Sequence, residues 1–199
     1  MQRAIEAFRD CIARVEHLAG LHKAIGSLTT PAVDSSDLLR AQIVLAVSAL
    51  DYCVHEVTLI GMLQLYQGVR PTTNAFTGYR ISVGSMLSGY KAGSAAWLET
   101  EIRERHSFLS FQQPDKIADA IRLFSDVKLW QSVAKLMGED DATIKSRLRL
   151  LIDRRNKIAH EADLDPSYPG ARWPISDVDV ATSRQFLSEL VEAIHSVIA

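Results

Sequence analysis

The chain has 199 residues, of which 47% are hydrophobic and 23% charged, and its formal net charge at pH 7 is −2. These values are typical of one soluble globular domain with its own core, and they exclude a disordered chain. The small net charge excludes a general attraction to nucleic acid, so that such binding would need a local basic patch. The N-terminus lacks an apolar leader, and the most apolar segment, residues 43–50, is shorter than the roughly 18 residues of a membrane span, so we expect a cytoplasmic protein without a membrane partner.

Cys11 and Cys53 each lie alone in an apolar helical segment, and the sequence contains no closely spaced group of cysteine and histidine. We therefore expect both to be small buried side chains in a reducing compartment. Because zinc sites need such ligand groups, we expect no metal, and no other cofactor is indicated.

Apolar residues recur at spacings of three and four along most of the chain, which predicts helices, and no segment keeps the two-residue period of a strand. The first helix is predicted over residues 2–25. Asp34, Ser35 and Ser36 then offer N-caps for a second helix over residues 37–67. Since this helix is apolar on more than one face, it should be the central and most buried one.

Residues 68–93 break the helical pattern and contain five of the ten glycines. This segment is predicted to be an irregular connector with room for one short helix. Such a long connector is often functional, but it can also be a flap whose aromatic side chains close the core, and both interpretations stay open.

Helices are predicted again beyond this connector. Pro114 suits the first turn of a helix. Asp140 or Asp141 can cap the helix that follows residues 129–137, and Ser176 has the capping-box spacing to Asp179 in the last helix. The sequence therefore predicts a single all-α domain over residues 1–199, a helical bundle of six or seven helices. The later helices are expected at residues 95–111, from residue 114 onward, and at residues 129–137, 140–162 and 176–197.

The segment from residue 143 to 163 contains a charged residue in an apolar position. At about 100° per residue, Arg155 falls near the middle of a single apolar stripe. An unpaired buried charge costs several kcal/mol, so this guanidinium must meet a carboxylate, backbone carbonyls, a partner subunit or an anionic ligand. Asp51, on the central helix, is a candidate carboxylate for Arg155. The stripe consists of Ile144, Leu148, Leu151, Ile152, Ala159 and Ala162.

His160 follows Arg155 by five residues, which places it about 140° around the helix. Side chains that touch on one helix lie three or four residues apart, so the two cannot meet on a straight helix. Two arrangements are open. The helix ends or bends near His160, or two copies of it face each other across a two-fold axis.

The same segment is locally basic, with six cations and a single acidic residue, Asp153, between residues 145 and 157. Such a patch can hold phosphate groups, and the alternative is a solvated helix face that forms intrahelical ion pairs. The cations are Lys145, Arg147, Arg149, Arg154, Arg155 and Lys157.

The sequence Arg-Asn-Lys-Ile-Ala-His-Glu at residues 155–161 resembles the RX4-6H signature of the HEPN superfamily, including the polar residue after the arginine. Two more segments resemble its RiboL-PSP-HEPN branch. One is Ser-Ala-Leu-Asp-Tyr-Cys-Val-His-Glu at residues 48–56, and the other is residues 154–166, followed by Trp173-Pro174-Ile175. The resemblance extends over nearly the whole chain.

This resemblance implies a homodimeric helical bundle that cleaves RNA without a metal, in toxin–antitoxin, stress-response or phage-defence systems. It makes Arg155 and His160 the catalytic pair, with Asn156 as their polar companion. His160 would act as general acid or base for attack of a ribose 2′-hydroxyl on phosphorus, because histidine has an ordinary pKa near ~6.5. Arg155 would stabilise the charge that develops on the phosphate.

The remaining candidates support this pair. Arg149, Arg154 and Lys157 are predicted to bind RNA, and the supporting residues are Asp51, His55 and Glu161. His55 can also be a satisfied core histidine. Since some HEPN proteins have lost catalysis, a non-catalytic module that dimerises and binds RNA, a nucleotide or a cognate antitoxin is the main alternative. A second alternative is a purely structural dimer, in which Arg155 forms an ion pair at the interface.

Overall fold

The computed structural model describes residues 1–30, 32–92 and 94–199. These residues form nine α-helices and no strand, which confirms the all-α prediction, although six or seven helices is too few. Gly93, the predicted end of the connector, lies outside the described residues. The helices are α1 (Gln2–Leu28), α2 (Ser36–Tyr66), α3 (Asn74–Thr77), α4 (Val83–Ala92), α5 (Ala96–His106), α6 (Pro114–Arg122), α7 (Leu129–Met137), α8 (Asp141–His160) and α9 (Asp177–Ile198).

The long second helix is the centre of the bundle, as predicted. It packs against α1, α5, α6, α8 and α9, and it buries Ile43, Val47 and Leu50. Gly61 lets the chain after α6 come close, because a Cβ there would overlap the Phe124 ring. By length and composition α2 could cross a membrane, but 56% of its apolar window is buried within the bundle, and core helices of soluble proteins pass the same test.

The connector after α2 contains two helices, α3 and α4, where the sequence indicates at most one. Thr73 caps α3 by accepting a hydrogen bond from the Phe76 amide at 3.0 Å. The Ser85 hydroxyl, in the first turn of α4, donates to the carboxylate of Glu101 at 2.5 Å, which ties α4 to α5. The glycines of this segment are therefore compatible with short helices that tertiary contacts stabilise.

The caps that position α8 and α9 agree with the sequence. The Asp140 carboxylate accepts from the Thr143 amide at 2.9 Å, and the Ser176 hydroxyl accepts from the Asp179 amide at 3.2 Å. In α8, the stripe from Ile144 to Ile152 is buried.

The prediction that the C-terminal part of the stripe is buried is wrong. Ala159, in the last turn of α8, and Ala162, beyond its end at His160, are both exposed. Cys53 is buried, which raises the pKa of its thiol to about 12, whereas Cys11 is only half-buried.

Candidate active site

Arg155 lies on α8 in a half-buried position, without the carboxylate partner that we expected. Its Nη2 donates to Oε1 of Gln112, a neutral amide, and its Nε is buried without a hydrogen-bond partner. Within the described ranges no carboxylate forms an ion pair with this guanidinium. The expected pair with Asp51 is therefore wrong, and the positive charge of Arg155 is uncompensated.

Asp51 instead holds the chain segment that carries Gln112. Its Oδ1 accepts a hydrogen bond from the Phe111 amide at 2.6 Å, and the His55 ring packs against the Phe111 ring with centroids 4.4 Å apart. Because Phe111 precedes Gln112, these contacts fix the amide that touches Arg155. Gln112 and Arg155 are 43 residues apart, so no local pattern indicates Gln112 as a site residue.

His160 is the last residue of α8, and its side chain is exposed. This corresponds to one of the two arrangements left open by the sequence, in which the helix ends at the histidine. Among the described contacts His160 forms no hydrogen bond or ion pair within the chain. The imidazole is therefore free to meet an external group.

A buried ion triad fixes the turn after His160. Asp163 is 1% exposed and accepts from Nε of Arg40 at 2.6 Å and from Nη1 and Nη2 of Arg154 at 2.5 and 2.9 Å. Both guanidiniums also donate to the Trp173 carbonyl. Ala162 and Asp163 have φ of 52° and 58°, a left-handed conformation that is uncommon for residues other than glycine. This turn sets the direction in which the chain leaves α8.

Arg154, predicted to bind RNA, is thus engaged inside the protein. Burial lowers the pKa of its guanidinium, and the nearby Arg40 adds to this, while Asp163 opposes it. The triad carries two positive charges and one negative charge, and Asp37 adds a second carboxylate 3.9 Å from Arg40. The sequence offers no signal for Arg40, because it lies 123 residues from Asp163.

Four predicted residues line a surface groove of about 570 Å³ along α8, namely Asn156, Lys157, Glu161 and the exposed part of Arg154. Trp173 also lines the groove, and its ring centre lies 4.7 Å from the Lys157 ammonium, a cation–π contact. Arg149 does not line this groove, and its Nη2 lies 3.7 Å from a carboxylate oxygen of Asp115. The predicted basic patch is therefore only partly assembled.

Asp51 and His55 belong to a separate cleft of about 400 Å³ between α2 and α5. His106 forms its inner wall and is 5% exposed, and its Nε2 lies 3.3 Å from the Tyr79 hydroxyl. Burial lowers the pKa of His106 to about 4, with smaller contributions from His55 and Arg105. The buried imidazole is thus neutral at pH 7.

We expect the buried His106 to make folding stability depend on pH. Between pH 6.5 and 4 the unfolded chain binds a proton that folded His106 does not bind, so the free energy of unfolding should fall as the pH drops, by about 2–3 kcal/mol in total. Urea denaturation at several pH values measures this. His106→Gln should flatten the profile, whereas His17→Gln, an exposed histidine on α1, should leave it unchanged. Identical profiles for the two variants would contradict the assignment.

Across the described ranges, no group of three or more histidine, cysteine or acidic side chains lies close enough to hold a metal ion. Independence from metals stays a prediction, since it concerns the reaction and not the fold.

A family model described as RiboL-PSP-HEPN matches residues 9–199, which include the Arg155–His160 segment and nearly the whole chain. HEPN domains of this type are nuclease or nucleotide-binding modules. Comparison with the curated proteins and with the solved structures finds no significant match.

Proposed function

Because the chain belongs to the RiboL-PSP-HEPN family, we propose that it is a metal-independent endoribonuclease with Arg155 and His160 as its catalytic residues. The observation that carries this proposal is the guanidinium of Arg155. It is half-buried, its one described side-chain partner is a neutral amide, and its Nε has no partner. A cation in that position is stabilised best by an anion from outside the chain, and a phosphodiester supplies one with matching fork geometry.

The proposed reaction is attack of a ribose 2′-oxygen on the neighbouring phosphorus. The bond from the 2′-oxygen to phosphorus forms, and the bond from phosphorus to the 5′-oxygen breaks. The proton of the 2′-hydroxyl passes to a general base, and the leaving 5′-oxygen takes up a proton from a general acid. His160 performs one of these transfers, and Arg155 stabilises the charge on the phosphate oxygens. The products are a 2′,3′-cyclic phosphate and a 5′-hydroxyl.

We further propose that two copies of the chain form the active enzyme, so that a second His160 supplies the other proton transfer. The support is a groove of about 530 Å³ beside the end of α8, in which the apolar side chains of Val44, Leu45, Ile158 and Ala162 lie next to two ion-paired arginines and two aspartates, namely Arg40, Arg172, Asp37 and Asp163. Leu45 is 46% exposed there. Such a surface next to an exposed catalytic histidine suits a two-fold interface. Sedimentation analysis of wild type and Leu45→Glu tests this, with a dimer expected only for the wild type.

The biological role rests on the resemblance alone. A cytoplasmic location, action in a toxin–antitoxin, stress-response or phage-defence system, and restraint by a cognate antitoxin therefore all stay predictions.

The proposed activity is tested by incubating the chain with total RNA in EDTA and analysing the ends of the fragments. Fragments with 2′,3′-cyclic phosphate and 5′-hydroxyl ends are expected, at the same rate with and without Mg²⁺. Binding of RNA without cleavage would overturn the RNase proposal and favour the non-catalytic module. Cleavage that stops in EDTA would overturn the metal-independent mechanism.

A charge change at Gln112 tests whether the free charge of Arg155 holds the substrate. Gln112→Glu should lower RNA affinity and cleavage about 10- to 100-fold, because the new carboxylate forms an internal salt bridge with Arg155 and competes with phosphate. The unfolding midpoint should stay equal or rise. Gln113→Glu is the matched control, since it adds the same charge one residue away without that contact to Arg155. Equal losses in the two variants would show that the effect is general repulsion of RNA.

A further inference from the structure

We propose that the cleft between α2 and α5 is a nucleobase subsite of the substrate RNA, and that Asp51 selects guanine there. This inference rests on the proposed RNase function and names the part of the substrate next to the scissile phosphate. The cleft has a volume of about 400 Å³, and its relevant lining residues are Ser48, Asp51, Tyr52, His55, Arg103 and Leu109.

The cleft is adjacent to the proposed phosphate site. Asp51 and His55 contact Phe111 from the side of the cleft, and the next residue, Gln112, contacts Arg155. Phe111 and Gln112 are both buried, so the cleft and the catalytic guanidinium contact the same short chain segment. In the proposed complex, a nucleotide whose phosphate is bound by Arg155 passes over this segment and places its base in the cleft.

The charges of the cleft are unfavourable for a phosphate. Arg103 is neutralised by Glu56, whose two oxygens lie 2.7 and 3.4 Å from its nitrogens, and by Glu99 at 3.0 Å. Asp51, whose Oδ1 lies 3.9 Å from Nε2 of His55, adds a further carboxylate, and the neighbouring His106 is neutral at pH 7. The ligand should therefore be uncharged and should present hydrogen-bond donors.

A flat heteroaromatic ring satisfies these conditions. Tyr52 is 50% exposed and His55 is half-buried, so both offer ring surface for stacking, and Leu109 adds an apolar edge. Oδ1 of Asp51 accepts a hydrogen bond from the Phe111 amide, whereas Oδ2 has no hydrogen-bond partner among the described residues.

Guanine is the base that matches this carboxylate. It carries two adjacent N–H donors on its Watson–Crick edge, and a carboxylate provides two acceptor oxygens at a similar spacing. On the same edge of adenine, cytosine and uracil, an acceptor lies beside each donor. That acceptor would face the negative charge of Asp51. The geometry therefore favours guanine over adenine, cytosine and uracil.

The subsite is tested by binding, so that cleavage is not needed as a readout. The probes are the four nucleoside 3′-monophosphates, titrated by calorimetry into the full-length His160→Ala variant. Guanosine 3′-monophosphate should bind at least about 10-fold more tightly than the other three, as expected for one bidentate base contact. In a second variant that also carries Asp51→Asn, this preference should be lost, because the amide still accepts from Phe111 but presents a donor to the base.

Two further variants keep the test informative if Asp51→Asn impairs folding. Tyr52→Ala should weaken binding of all four nucleotides about 10-fold through lost stacking. Tyr168→Ala removes another exposed tyrosine, outside the cleft, and should leave nucleotide binding unchanged. Thermal unfolding of each variant serves as the folding control.

The outcomes separate this inference from the proposed function. Preference for guanine without any RNA cleavage would support the subsite and overturn the RNase proposal. Cleavage of RNA combined with equal affinity for the four nucleotides, or with a guanine preference that survives Asp51→Asn, would overturn the subsite and leave the RNase proposal intact.

Discussion

Replacement of His160 by alanine is expected to lower the rate of RNA cleavage about 10²- to 10⁴-fold, the usual contribution of one general acid or base. The imidazole is exposed at the end of α8 and forms no described hydrogen bond or ion pair within the chain. Its removal should therefore change the chemical step and leave folding unaffected. Single-turnover cleavage of a fluorescent RNA, with the unfolding midpoint measured in parallel, checks both expectations.

The matched control is His17→Ala, which removes another exposed histidine, from α1, and should leave the rate unchanged. If His160→Ala cleaves RNA as fast as the wild type, His160 does not transfer a proton and the proposed mechanism is wrong. If it loses activity and also unfolds, the loss is structural, and His160→Gln, which keeps a polar side chain, separates the two effects.

Replacement of Asp163 by alanine is expected to lower the free energy of unfolding by about 3–5 kcal/mol, the usual effect of removing one partner of a buried ion pair. The carboxylate is 1% exposed, and it is shared by Arg40 and Arg154. Without it, two guanidiniums remain close together in a region with little water, and like charges repel each other there. Urea denaturation measures the change.

Asp163→Asn separates charge from backbone conformation. Asparagine tolerates the left-handed φ of 58° at this position, so this variant removes the negative charge with little added strain. We expect it to be less destabilised than Asp163→Ala. Asp126→Ala, which removes an exposed aspartate without an ion pair in the described structure, should stay within about 0.5 kcal/mol of the wild type. A loss below 1 kcal/mol in Asp163→Ala would show that the triad contributes little to stability.

The sequence by itself determined the features of this protein that depend on local pattern. The three- and four-residue spacing of apolar side chains identified the helices and the buried side of α8 up to Ile152. Asp140 and Ser176 were identifiable as caps because a capping side chain bonds an amide only two or three residues away. Arg155 was recognisable as anomalous because its position on the helix follows from counting residues.

Only the tertiary structure decided which side chains surround that arginine. Gln112 takes the place expected for Asp51, and Arg40 and Arg154 share Asp163, which the sequence leaves without a role. The two helices of the connector also depend on contacts outside it, such as that of Ser85 with Glu101. The physical reason is the same in each case. These contacts join residues that are distant along the chain, so their partners are set by how the helices pack and not by the periodicity of any one of them.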